Sequence, residues 1–472
     1  MDENRLFKIV DSYKNDILST LRRWIAVPSI GDKPAGAGKP FGENVRRMLD
    51  TALKDAGEMG FETAEFDGYA MHAQMGQGEK TLGMLCHLDV VPVGDGWTKD
   101  PFGGELVGNR LYGRGTTDDK GPAVAALHAM RAVKEAGIPL RDGVKLILGC
   151  DEETGMLDMQ YYKKKFGATD YGFSPDADFP VINIEKGGCG LTLSAYSPDE
   201  EGAEIPVYNL YAGERPNVVP GVATALLGYE KTGFDALKAK ISEAAERLGF
   251  KCALEEKDGR ALLSVEGVSA HASLPHLGKN AAGMLFILLA DIGAGGGIKE
   301  AIKTIAEKLG LEYDGASLGI KLEDAESGAL TCNLGMLRFD GRFMTVVLDI
   351  RTPVSADHER MCGQAAMALA RTPVAVSTRG GHPPHYVPKD STLVQELISA
   401  YSEVTGTQGY AFAIGGGTYS RCMPNTVAFG INFPGDTDMC HMPDEWVDVD
   451  KLMKAAKIFA HAIVRLAGTE EA

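Results

Sequence analysis

The chain has 472 residues, more than one ordinary domain needs, so two or three domains with a large buried core are expected. Its 65 acidic against 48 basic residues give a formal charge of -17, which argues against nucleic acid or an acidic membrane as a general partner. The eight cysteines are scattered, with no C-x-x-C pair and no secretory framework, and read as reduced thiols of a cytoplasmic protein.

The opening segment carries charges throughout and lacks the apolar core of a signal peptide. Leu6, Ile9, Val10, Tyr13, Ile17, Leu21 and Trp24 recur at helical spacing and predict a single amphipathic helix. The loop GDKPAGAGKPFGEN fails as a phosphate loop, because Lys33 and Pro40 stand where that motif needs glycine and Ser or Thr. From 42 to 180 the pattern alternates: helix VRRMLDTALKDAG, strands around 63 and 72, a strand over 82–91, a helix over 122–137 and the strand VKLILGC. Such alternation predicts an α/β layer fold. Near Gly187 the texture changes to short β-like runs (CGLTLSAY, IPVYNLYA, ALLSVEG, FMTVVLDIR), with helices expected over VATALLGYEKTG and DALKAKISEAAERLG. That change predicts a separate α+β domain inserted into the first fold. The apolar run 281–297 is interrupted by Asp291 and glycines, so it is not a membrane span, and GAGGGI at 293–298 lacks the last glycine of a dinucleotide fingerprint. After the Gly/Pro-rich RGGHPPHYVP, where His382 and His385 read as loop residues, the α/β texture resumes with STLVQELISAYSEVTG and NTVAFGINF. It closes on a terminal helix over VDKLMKAAKIFAHAIVRLAG.

Several polar residues end apolar runs without an obvious structural need. His87 and Asp89 fall on one face of the predicted 82–91 strand, and an imidazole beside a carboxylate suits metal ligation. Asp118 and Asp119 precede Lys120-Gly121-Pro122, and proline fits a first helical turn, so Asp118 lies near a helix N-terminus that favours its charged form. Glu152 and Glu153 follow directly from the strand VKLILGC and, being adjacent, can hold different jobs. Asp176 and Asp178 sit in a Pro-flanked loop, and His441 in the polar DTDMCHMPDEW. Each has an ordinary explanation alone: a helix-start acid, a turn, a surface histidine. Together they offer the imidazole and carboxylate set that cations of the zinc type prefer, and two cations sharing a carboxylate suit hydrolysis of a carbonyl or phosphoryl centre.

CHLDVVPVGDGW, LYGRGTTDDKGP, DEETG, FSPDADFP, GVSAHAS and the late His441 with Asp444-Glu445 resemble the co-catalytic metallopeptidase family that contains dipeptidase V, carnosinases, aminoacylases and succinyl-diaminopimelate desuccinylase. The long insert, Asn217 in RPNVVPG, LDIRTP at 348–353 and GGGTYSR at 415–421 bring it closest to the dipeptidase V branch. The resemblance implies a three-layer α/β catalytic domain with a central mixed sheet over 1–186 and 384–472, and a large inserted α+β lid domain over 187–383. It implies two divalent ions, zinc first, with manganese or cobalt also suited, bridged by Asp118. His87 and Asp176 would hold one ion, and Glu153 and His441 the other. Asp89 would orient His87, and Glu152 would be the general base that takes a proton from the attacking water. A cis peptide is expected at Asp118-Asp119. His271 would stabilise the oxyanion, and Arg351 with Asn217 would bind the free C-terminal carboxylate of a small peptide. The insert is about twice as long as in dimeric relatives, so the enzyme is expected to be complete as a monomer. Asp176-Ala177-Asp178 leaves Asp178 as an alternative ligand to Asp176. Three activities fit: a dipeptidase for unblocked dipeptides, an N-acyl or N-succinyl amino acid hydrolase, and a non-catalytic peptide binder, against which an intact Glu152 speaks.

Overall fold

The computed structural model describes residues 3–198 and 203–469, which form two compact units. The first comprises 1–184, 386–412 and 417–472, and the second 185–385 with 413–416.

The first unit is built on a mixed sheet whose strands lie in the order Glu62–Phe66, Ala70–Met75, Gly143–Gly149, Thr81–His87, Tyr171–Ser174, Thr426–Ala428 and Val181–Glu185. The central pairs, from Gly143–Gly149 to Thr426–Ala428, are parallel, and the flanking pairs are antiparallel. A central parallel strand is covered on both faces and so carries a nearly unbroken apolar run. Period-2 alternation then divides the Thr81–His87 side chains. Leu82, Met84 and Cys86 join one core with helices Glu3–Ser12, Lys14–Ile25, Glu43–Glu58, Lys120–Ala136, Thr392–Thr405 and Val449–Ala467. Leu85 joins a thinner one with Met159 and Tyr162 of helix Leu157–Phe166. This gives the expected three layers. Helix Lys120–Ala136 is almost wholly buried, and Gly121 is obligatory there because a Cβ would fall 2.0 Å from the Thr116 carbonyl oxygen.

In this first unit two details depart from the sequence reading. The opening helix is two, Glu3–Ser12 and Lys14–Ile25. At Tyr13 the N–H donates to the Val10 carbonyl at 3.0 Å, a tighter turn that breaks the α ladder while Leu6, Val10, Tyr13, Ile17, Leu21 and Trp24 all remain buried. The strand expected over 82–91 ends at His87. The neighbouring strand has ended by then, and the Val90 N–H turns to the Ser29 carbonyl at 3.0 Å.

The second unit is one antiparallel sheet of eight strands in the order Lys251–Lys257, Arg260–Glu266, Val222–Leu227, Val207–Ala212, Thr331–Phe339, Phe343–Thr352, Gly187–Tyr196 and Ala375–His382. Its core includes side chains of helices Phe234–Leu248, Ala281–Ile292, Lys299–Lys308 and His358–Leu369. The helix expected over VATALLGYEKTG is instead the strand Val222–Leu227. Ala223, Ala225 and Leu227 are buried in alternation while the main chain pairs with strands on both sides, and that pairing overrides the helical preference of alanine and leucine. Val207–Ala212 and Thr331–Phe339 pair in register through Leu210, Tyr211 and Ala212, so the sheet reads as two four-stranded halves joined at a short seam. Among the described residues no helix is long and apolar enough to cross a membrane.

Candidate metal centre

His87 is the last residue of its strand and points, with Leu85, toward the thinner layer, where its ring meets Tyr419 edge-on at 6.2 Å. Its N–H donates to Asp119 Oδ2 at 2.9 Å. The ring is fully buried. Its Nδ1 lies 2.9 Å from the Asp89 carbonyl oxygen and 3.4 Å from the Asp89 carboxylate, so the closer contact to the ring comes from the main chain. Its Nε2 lies 2.8 Å from Asp118 Oδ1 and 3.7 Å from Asp176 Oδ2.

The Asp89 carboxylate, beside that ring nitrogen, also has a second task. Its two oxygens accept the Glu152 N–H at 3.2 Å and the Glu153 N–H at 3.1 Å, fixing the acidic loop beside the histidine. Behind that loop, Asp158 accepts the N–H groups of Cys150 at 2.5 Å and Asp151 at 2.9 Å, and the Tyr419 hydroxyl donates to the same carboxylate. Helix Leu157–Phe166 starts only after this turn, so the acidic run is a loop and not a helix start.

Held this way, the adjacent glutamates face different neighbours. Donor atoms of His87, Glu152 and Asp176 lie within 4.8 Å of one another, and so do those of His87, Asp118 and Glu153. His441 Nε2 is 3.0 Å from Asp118 Oδ2 and 3.2 Å from Glu153. Asp118 therefore offers one oxygen to each histidine, the geometry of a shared ligand. The Asp118-Asp119 peptide is cis. Asp178 is in neither donor group and forms a β-bridge with Asn432.

The electrostatics fit a cation. Burial, then the neighbouring Asp118 charge, lifts Glu153 and Asp176 above the usual carboxylate range, and burial with the surrounding carboxylates lifts Glu152 well above it. Burial also opposes charge on Asp118, but hydrogen bonds from His441 and His87 hold it below that range. Asp118 and Glu153 in turn push His441 up to about 10. Such a cluster of oxygen and imidazole donors suits one or two divalent ions of the zinc, manganese or cobalt type.

The remaining residues singled out by sequence belong to the second unit. His271 forms a β-bridge with Val218, and the Ala272 N–H donates to the Asn217 carbonyl at 2.9 Å, so Asn217 and His271 lie on adjoining turns. The Ser273 hydroxyl and N–H both approach His271 Nδ1, at 2.7 and 3.2 Å, an arrangement that suits a tautomer with its proton on Nε2. Buried Asn333, which sequence reading passes over, donates to the Pro216 and Val218 carbonyls at 2.9 and 3.1 Å and secures the Asn217 turn. Arg351 is gripped by Asp349 through Nε at 2.6 Å and Nη2 at 2.9 Å, and its Nη1 donates to the Gly415 carbonyl at 3.1 Å. Among the described residues these bonds use three of its five N–H donors and leave one on each terminal nitrogen. Gly415 must be glycine, since a Cβ would meet Ser273 at 2.4 Å.

Residues 83–465 match the model of "Peptidase family M20/M25/M40". The chain is 34% identical to YtjP of Bacillus subtilis strain 168, over 96% of this chain and 98% of that protein. It is 33% identical to the Beta-Ala-Xaa dipeptidase of Lactobacillus delbrueckii subsp. lactis, over 98% of both. Human carnosine dipeptidase 1 has the same fold, with a TM-score of 0.59 over 98% of each chain at 16% identity. On the strength of the family match and these full-length relatives, the chain belongs to the peptidase family M20/M25/M40.

Proposed function

We propose that this peptidase is a metal-dependent dipeptidase that hydrolyses the amide bond of unblocked dipeptides. The observation that carries the reading is Asp118, whose two oxygens face His87 and His441 separately while Glu152 and Glu153 flank them. The 33% identical Beta-Ala-Xaa dipeptidase, matched over its full length, supports the substrate class.

His87 and Asp176 would hold one ion, Glu153 and His441 the other, with Asp118 shared. Zinc is the metal proposed first, and manganese or cobalt would suit the same donors. When bound, such a pair polarises the scissile carbonyl and makes water more acidic. Glu152 would take the proton from the attacking water at its carboxylate and deliver it to the leaving amine nitrogen. His271 would donate its Nε2–H to the oxygen on which negative charge develops, and Arg351 would offer its two remaining N–H donors, with Asn217, to the terminal carboxylate. We further propose that one chain suffices for activity, since the two-halved sheet of the second unit gives a single chain the equivalent of two shorter inserts.

The test is a panel of free dipeptides, their N-acetylated and amidated forms and N-succinyl amino acids, assayed after chelation and re-addition of zinc, manganese or cobalt. Free dipeptides should be hydrolysed, only with metal, and at a specific rate that survives dilution to the monomer. Turnover confined to N-acylated substrates would assign a deacylase instead.

A further inference from the structure

The 441–446 loop carries His441, yet His441 itself is an exposed residue with a positive φ of 64°. Such a side chain holds a fixed place only if its loop is tied down nearby. Two acidic residues provide the ties. Asp444 accepts the N–H groups of Thr98 at 2.8 Å and Lys99 at 3.2 Å, and the Thr98 hydroxyl at 2.7 Å. Glu445 is fully buried and reaches into the GRGTTDD segment. It accepts the Gly115 N–H at 3.1 Å, the Thr117 N–H at 2.8 Å and the N–H of Asp118 itself at 3.3 Å. Its other strong partner is Arg114, equally buried, whose Nη1 donates to Oε2 at 2.6 Å. The Arg114 guanidinium also points back at the His441 and Met442 carbonyls and at Val93, each at 3.4 Å.

A buried ion pair contributes little net stability compared with an apolar pair of the same shape, so its use here calls for another reason. One carboxylate sits between the main chain of Asp118 and the loop of His441, and those two residues face each other at 3.0 Å. We propose that Arg114 and Glu445 are positioning residues that set the separation of Asp118 and His441 and thereby the affinity for the ion that these two share with Glu153. The inference rests on the metal centre proposed above. Glu445 touches neither ion nor substrate in this role; it acts through Asp118 and His441. Groups that orient metal ligands from outside the coordination shell typically govern affinity by roughly ten- to hundred-fold.

The experiment titrates zinc into metal-free wild-type protein, Glu445→Gln and Arg114→Lys, competing with a chromogenic chelator, with folding followed by circular dichroism. Gln at 445 keeps one acceptor for the Thr117 and Asp118 amides but places an NH₂ against the guanidinium. Wild type should take up two ions. Glu445→Gln should keep the first ion within about twofold and bind the second roughly ten- to hundred-fold more weakly. Arg114→Lys keeps the charge and loses the planar fork, and should weaken the second ion by roughly three- to tenfold. At limiting zinc the variants should lose kcat with KM unchanged, and excess zinc should restore kcat. A second-ion affinity within twofold of wild type in the folded variants overturns the proposal, because a merely structural pair would lower the thermal midpoint and leave the titration alone. Should Glu445→Gln fail to fold, Arg114→Lys decides by the same criterion. Wild type that takes up no zinc would instead overturn the metal centre itself, and this inference with it.

Discussion

The two units differ in how they hold most of the residues singled out from the sequence. In the first, His87 and Asp89 are buried, and the loops bearing Asp118, Glu152 and Glu153 are anchored by other carboxylates: Asp89, Asp119, Asp158 and Glu445. In the second, His271 is exposed and Asn217 and Arg351 are half-buried; the turns of Asn217 and His271 are secured by carbonyls, amides and Asn333, while Arg351 is held by the half-buried Asp349 carboxylate and the Gly415 carbonyl. Charge packed in a low-dielectric interior needs charged or strongly dipolar support, whereas groups near water can be placed by ordinary turn chemistry. The first arrangement suits a site whose geometry must not vary. The second suits the substrate-binding role proposed for these residues.

The contrast can be broken by substitution. The largest effect is expected from Glu152→Ala, which should cut kcat by roughly 10²- to 10⁴-fold while both ions stay bound, as metal analysis would show. Loss of an ion would mean that Glu152 is a ligand and that another carboxylate moves the proton. His271→Ala should lower kcat by roughly 10²- to 10³-fold with zinc uptake unchanged. A fall in zinc content there would erase the distinction between the units. Arg351→Ala should raise KM by roughly tenfold or more for dipeptides with a free carboxylate and leave amidated ones nearly unaffected, and equal damage to both would remove its assigned role. The smallest effect concerns a turn of the second unit. Asp324 accepts the Ser327 N–H at 2.6 Å and the Ser355 N–H at 3.1 Å, and although burial opposes its charge, these bonds and the two serine hydroxyls hold its pKa down to about 2. A depressed carboxylate contributes stability above its unfolded value near 4 and loses that contribution as pH falls from about 4 to about 2. Asp324→Ala should cost about 1 kcal/mol at neutral pH, flatten the acid limb of a thermal-melt series and leave zinc uptake intact.

What can be read from sequence follows from the same physics. The α/β architecture is legible because central parallel strands must be apolar on both faces, and His87 and the acidic run after Gly149 stand out as breaks in that rule. The break at Tyr13 is invisible because both short helices present the same apolar stripe. Val222–Leu227 misleads because Ala and Leu favour helices, and only the partner strands, distant in sequence, decide otherwise. Asp158 leaves no local signal, and Tyr419 and Glu445, although they lie in stretches that carry the family resemblance, show no sign of their tasks, since an acid near a helix start or a tyrosine in a glycine-rich loop has many ordinary uses. Glu445 could have been noticed by pairing it with Arg114, the basic residue of the GRG segment, but nothing in their spacing announces that they meet.

The second unit is not one continuous stretch of chain. Beyond 185–385 it includes 413–416, and that short return supplies the Gly415 carbonyl to Arg351. A fragment cut at the obvious boundaries would therefore leave one guanidinium nitrogen without its main-chain acceptor, and Arg351 would be steered by Asp349 alone. Anyone transplanting this insert into another scaffold would have to graft two pieces of polypeptide, the smaller only four residues long.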